Sequence, residues 1–172
     1  MCGCLMATSR SPVPILVLLA IVVAATAPSE GRILGQCEAA QALAIAGVSR
    51  SFVSNYVCIM KNESGINTSK KTGPGHKSSY AYGVFQITSD VWCSAYRKGG
   101  KCNAKCDDFL DDDIRDDIEC AKKIQAARGF QHWKGWTRGC KQKQLPNVAP
   151  CFGRGKRSAD GEPLLTIASE VN

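Results

Sequence analysis

The chain has 172 residues, a length that favours one domain over several. Its 22 Lys and Arg exceed its 15 Asp and Glu, giving a net charge of +7 that suits anionic partners such as bacterial envelopes but serves solubility equally well. Ten cysteines with no CxxC pair, and only two histidines, argue against a zinc site.

The first 31 residues read as a leader. A weakly basic start containing Arg10 precedes the apolar run "PVPILVLLAIVVAATA", and small residues follow, so that cleavage after Gly31 leaves Arg32 as the mature start. A retained anchor is the alternative, but a membrane span needs about 20 apolar residues. Cys2 and Cys4 leave with this signal peptide. Eight cysteines remain, and an even number in a small secreted, extracellular chain reads as a disulfide framework. Spacing alone does not choose among the roughly one hundred possible pairings.

"QCEAAQALAIAG" is Ala-rich, with Leu43 and Ile45 inside it, and Gly47 stands where a helix would end. "SFVSNYVCIMKNES" places Val53, Tyr56, Val57 and Met60 on one helical face, with Ser51 able to cap its start. Glu63 falls at the end of that helix, so a rigid element anchors it. "KKTGPGHKSS" is turn and loop, and "YAYGVFQIT" reads as strand in a small hairpin sheet. Ile114, Ile118, Ala121 and Ile124 return to helical spacing, and Gly129 closes that element. "FQHWKGWTRGC" is a short helix or turn carrying two tryptophans, of which Trp136 reads as core packing. The fold class is α+β. After Phe152 no core pattern remains, and 153–172 reads as a loose tail with a dibasic "RGKR" ending at Arg157.

"DDFLDDDIRDDIEC" places seven aspartates between Asp107 and Asp117. Like charges at this density repel, and a hard cation such as Ca²⁺, which takes oxygen ligands, relieves them. Asp116 and Asp117 also sit in the first turn of the following helix, where the helix dipole favours negative charge. The glycine and terminal Glu of an EF-hand are missing.

The text around the cysteines ("CEAAQALAIAGV", "VCIMKNESGINT", "YGVFQI", "WC", "CAKKI", and a tryptophan before a late cysteine) resembles the c-type lysozyme and α-lactalbumin family from about Arg32 to Phe152. The resemblance implies the pairs Cys37–Cys151, Cys58–Cys140, Cys93–Cys106 and Cys102–Cys120. It also implies a helical lobe and a small antiparallel sheet lobe flanking a glycan cleft. Lysozymes of the family cleave the β-1,4 linkage between N-acetylmuramic acid and N-acetylglucosamine. Glu63 matches the general acid, which a partly apolar setting keeps protonated for donation to the leaving oxygen. Trp133 matches the tryptophan packed over that acid, Trp92 a sugar-stacking tryptophan, and Gln86 a polar cleft residue. The acidic run resembles the family's calcium loop, implying side-chain ligands Asp111, Asp116 and Asp117 and main-chain carbonyls of Asp108 and Asp113. That calcium is expected to be structural.

The pattern breaks at one position. The second family carboxylate stands immediately before "YG", and here that residue is Ala81. Retaining glycosidases hold their two carboxyls about 5–5.5 Å apart, yet no Asp or Glu occurs from Ser64 to Ser89. Asp90 lies beyond the strand, and reaching the site from there needs an unusual loop. Three readings follow. The protein binds peptidoglycan or chitin-like glycan with hydrolysis weakened or lost; or it is an active antibacterial lysozyme using Glu63 with a water held by Ser78, Ser79 or Tyr80; or it modulates a partner protein as α-lactalbumin does. The retained Glu63 favours the first two. A monomer is expected, without a nucleic-acid partner. Asn62 and Asn67 open glycosylation triplets, while His76 and His132 show no metal spacing.

Overall fold

A computed structural model of the protein describes residues 31–153. The leader and the tail, with its dibasic site, lie outside the described residues apart from Gly31 and Gly153. Among the described residues there are four α-helices: α1 Gln36–Ile45, α2 Arg50–Glu63, α3 Arg115–Arg128 and α4 Lys134–Gly139. Three short strands, β1 Lys71–Thr72, β2 Ala81–Tyr82 and β3 Ile87–Thr88, form an antiparallel sheet in the order β1-β2-β3. The α+β class is confirmed. No described helix is long and apolar enough to cross a membrane.

The helical faces are those the spacing marks. Val53, Tyr56, Val57 and Met60 of α2 are buried in one core with Ile118, Ala121 and Ile124 of α3, which Phe85 and Phe109 join. In α1, Leu43 faces this core, while Ile45 points outward. All four disulfides form with the expected partners. Each contributes about 2–4 kcal/mol, chiefly by restricting the unfolded chain. Cys37–Cys151 closes the ends of the domain, and Cys58–Cys140 fastens α4 to α2.

Two local expectations need correction. Ser51 does not cap α2. The helix starts two residues earlier, behind Ser49, and the Ser51 hydroxyl meets Ser49 Oγ at 2.9 Å. The stretch "YAYGVFQIT" is two strands rather than one. The chain turns at Gly83, with Gln86 N–H donating to the Gly83 carbonyl, and buries Val84 and Phe85 in the helical core. Core packing of these two side chains outweighs their strand propensity.

Gly83 is the tightest point of the turn. Its φ is +68°, and a Cβ there would collide with the Phe109 carbonyl and Asp117 Oδ1. Gly47 has a similar φ of +75° but open space around it. Gly83→Ala is therefore expected to cost about 3 kcal/mol or more, and Gly47→Ala about 1 kcal/mol. Denaturant unfolding of the two variants measures this, and equal losses would contradict the packing described.

Candidate functional site

Glu63 is the last residue of α2, and the chain brings a second helix down on it. Gly135, in the first turn of α4, donates its N–H to Glu63 Oε1 at 2.6 Å. A Cβ on Gly135 would stand only 2.8 Å from that oxygen, so the close approach requires glycine. Lys70 Nζ donates to the Glu63 carbonyl at 2.7 Å and fixes the backbone from the other side. The carboxylate, half-buried, borders a cleft of about 650 Å³.

Ala81 lines the same cleft from β2, in register with Thr72 and Thr88 of the neighbouring strands. The position where the resemblance puts a second carboxylate therefore shares the Glu63 cleft but offers a methyl group. The cleft's other carboxylate is Asp90. It lies in the turn directly after β3, so no unusual loop is needed to bring it there.

Gln86 is buried with φ +51° and also borders the cleft. Its amide is largely committed to the sheet lobe: Oε1 accepts from Thr72 Oγ1 at 2.6 Å, and Nε2 donates to the Lys70 and Gly83 carbonyls at 2.9 Å. Gln86 shapes the wall, with little left to offer a sugar. Trp133 lines the cleft at 3% exposure, its Nε1–H donating to the Phe85 carbonyl at 2.9 Å and its ring packed among Tyr56 and Phe85.

The structure corrects the expectation for Trp92. Its ring is 2% exposed and does not line the cleft, so it presents no face for stacking on a sugar. His132 packs edge-on against it at 5.6 Å and against Trp133 at 5.4 Å, and His132 itself faces the cleft. Burial, then the Arg128 charge, lowers the His132 pKa, while Asp90 opposes them. Trp136 packs against the core, stacked on Phe130, with its Nε1–H on Asn55.

Sequence reading gave too little weight to His76, Tyr80, Asp90 and His132, all of which border the cleft. Strand alternation would place Tyr80 on the face opposite Ala81. The Tyr80–Ser89 hydrogen bonds carry the β2–β3 pairing on to Tyr80, and Lys71 Nζ lies over the rings of both Tyr80 and Tyr82, which therefore share that face.

The seven aspartates divide into two groups. Asp107 meets Lys71 and Lys105, Asp112 meets Arg32 and Thr68, and Asp113 is clasped by Arg115. Asp108, Asp111, Asp116 and Asp117 have no ion pair among the described residues. Asp117 is 1% exposed, and neither carboxylate oxygen has a hydrogen-bond partner. Burial, reinforced by Asp116 and Asp111, raises its pKa well above the usual range; burial pushes Asp116 up to about 6. A buried carboxylate without a donor beside two other acids fits a hard cation. Among the described residues, no three acidic side chains yet converge as a ligand cluster, and the Asp111 carboxylate accepts the Asp113 N–H.

Of the glycosylation triplets, Asn62 is committed: its Nδ2 donates to the Cys58 carbonyl at 2.8 Å, and its amide packs on Gly139. Asn67 accepts from Ser69 N–H and Oγ in a tight turn.

The chemistry available from Glu63 and Ala81 is one-sided. A fixed carboxyl at Glu63 can protonate a glycosidic oxygen. Ala81 cannot attack the sugar or stabilise an oxocarbenium-like centre.

The family model for the C-type lysozyme/alpha-lactalbumin family matches residues 32–151. Lysozyme c-1 of Anopheles gambiae is 43% identical over 136 residues, covering 79% of this chain and 96% of its own. The lysozyme of Galleria mellonella is 38% identical, covering 67% and 97%. The crystal structure of lysozyme from Equus asinus superposes with a TM-score of 0.60 at 35% identity, covering 66% of this chain and 92% of that one. A canine milk lysozyme structure gives 0.61 at 36% identity with the same coverage. With the cleft, the four disulfides and the acidic loop in place, the chain belongs to the C-type lysozyme/alpha-lactalbumin family.

Proposed function

We propose that this is a secreted lysozyme-like protein, acting as a monomer. It holds bacterial peptidoglycan or a related N-acetylglucosamine glycan in its cleft, with hydrolysis of the β-1,4 linkage weakened or lost. One observation carries the reading: Glu63 and Ala81 border a single cleft, with the acid retained and its partner replaced by a methyl group. The family supports a glycan-handling cleft. The four disulfides support an oxidising compartment.

A second reading keeps slow catalysis. Ser79 and Tyr80 border the cleft with Glu63, so a water held there is available to attack the sugar. General acid catalysis by Glu63 alone would then contribute about 10²–10⁴-fold. Lysis of bacterial cell walls separates the two. On the leading reading the native protein is close to inert, and Ala81→Asp gains about a hundredfold or more because a second carboxylate is restored. Clear lysis by the native protein that Glu63→Gln abolishes would establish the second reading instead.

Calcium belongs to the same proposal as a structural ion. Asp111, Asp116 and Asp117 would hold it by side chains, and Asp108 and Asp113 by main-chain carbonyls. Its charge would offset that of the buried Asp117 and give its oxygens partners. The expected result is a rise in thermal midpoint with added calcium, reflecting a stabilisation of about 2.7 kcal/mol at a hundredfold excess over Kd. Asp116→Ala should lose that rise. A midpoint unmoved by calcium over a wide range would remove the ion from the proposal.

A further inference from the structure

Two residues expected to hold a sugar are already taken up by the protein. Trp92 is buried, with His132 against its ring, and the Gln86 amide is committed to Thr72, Lys70 and Gly83. Open polar groups remain on both walls of the cleft: the Asp90 carboxylate on the sheet side and the His132 imidazole on the helical side. We propose that Asp90 and His132 form a two-sided clasp on the glycan, Asp90 accepting from the hydroxyls and His132 donating to the acetamido carbonyl of an uncharged N-acetylated sugar unit. This rests on the glycan-binding reading above and deepens it.

The register of the sheet turns Asp90 toward the cleft. Thr88 pairs with Ala81, and both border it. Ser89 bonds to Tyr80 on the opposite face, and Asp90, next along the chain, returns to the cleft side. Asp90 makes no ion pair among the described residues, so its oxygens are free to accept. A carboxylate accepts from two donors at once, which suits neighbouring hydroxyls on a pyranose. His132 comes from the other lobe, at the end of the single turn Phe130–His132 that leads to α4. Its ring lies nearly perpendicular to Trp92 and to Trp133, at 83° and 84°, and these two indoles hold it in place. The Trp133 N–H is spent on the Phe85 carbonyl, so it does not occupy the imidazole. Burial and the Arg128 charge favour the neutral ring, which carries one N–H donor and one acceptor. The Asp90 charge reaches His132 in turn, so the two side chains face a common space from opposite walls. A few fixed polar groups of this kind orient a ligand in a cleft.

Calorimetric titration of the oxidised protein with chitotetraose tests this. Asp90→Ala should weaken binding by roughly tenfold or more, as loss of a hydrogen bond to a charged group does. Asp90→Asn, which keeps one acceptor oxygen, should fall between Asp90→Ala and the native protein. His132→Phe keeps the packing against both tryptophans and removes only the nitrogens; it should weaken binding by roughly fivefold. Glu119→Gln, which removes an exposed carboxylate outside the cleft, should change nothing. Thermal midpoints of all variants confirm that they are folded. If the native protein binds and either Asp90→Ala or His132→Phe binds equally well, the clasp is overturned and the glycan reading stands without it. No binding by the native protein would take down the glycan reading and this proposal together.

Discussion

The site depends on how closely α4 descends on the last turn of α2. The Cys58–Cys140 disulfide joins the two helices. Asn62 occupies the space that a side chain on Gly139 would fill, and Gly135 comes near enough to donate its N–H to Glu63. Two glycines one helical turn apart permit this contact, and a crosslink holds it. A carboxyl that is to deliver a proton must be fixed relative to the bond it protonates, since misplacement by about 1 Å can cost two orders of magnitude. The Gly135 N–H fixes the Glu63 carboxylate in this way, while Ala81 stands where the resemblance puts a second carboxylate. The same contact sets Trp133, whose backbone leads into α4 and whose indole reaches the Phe85 carbonyl in the sheet lobe.

The sheet lobe is held from beneath by the acidic loop. Gly83, two residues after Ala81, lies directly against the Phe109 carbonyl and Asp117 Oδ1. The strand presenting Ala81 to the cleft therefore rests on the one described carboxylate that is buried without a hydrogen-bond partner. Burying such a group costs several kcal/mol unless it is protonated or paired. Whatever neutralises Asp117 therefore stabilises the strand as well as the loop. A structural cation there would act on the cleft only through this packing, without touching a sugar.

Much of the fold was legible because its signals are local. The faces of α2 and α3 follow from residues three and four apart, as Val53, Tyr56, Val57 and Met60 show. The position of Glu63 followed from the helix that ends at it. The disulfide pairs came from the family resemblance, since spacing leaves the choice open. What was not legible depends on long-range contacts. Arg32 reaches Asp112 across 80 residues, so a run of aspartates that seems unanswered in sequence is partly paired in space. Trp92 has the type and place of a stacking residue, but His132 lies against it from a segment forty residues on, and its exposure is a property of packing alone. The turn at Gly83 broke an apparent strand because Val84 and Phe85 are taken into the helical core.

On the proposed reading, a cleft that keeps Glu63 and carries alanine at the position of the family's second carboxylate separates holding a glycan from cutting it. The most direct test is to saturate the oxidised protein with purified peptidoglycan and follow the release of new reducing ends from the bound material. Retention of the glycan with reducing ends at the level of a Glu63→Gln control is the expected result. Steady release from the native protein, absent in that control, would contradict the claim that replacement of the second carboxylate has disarmed the cleft.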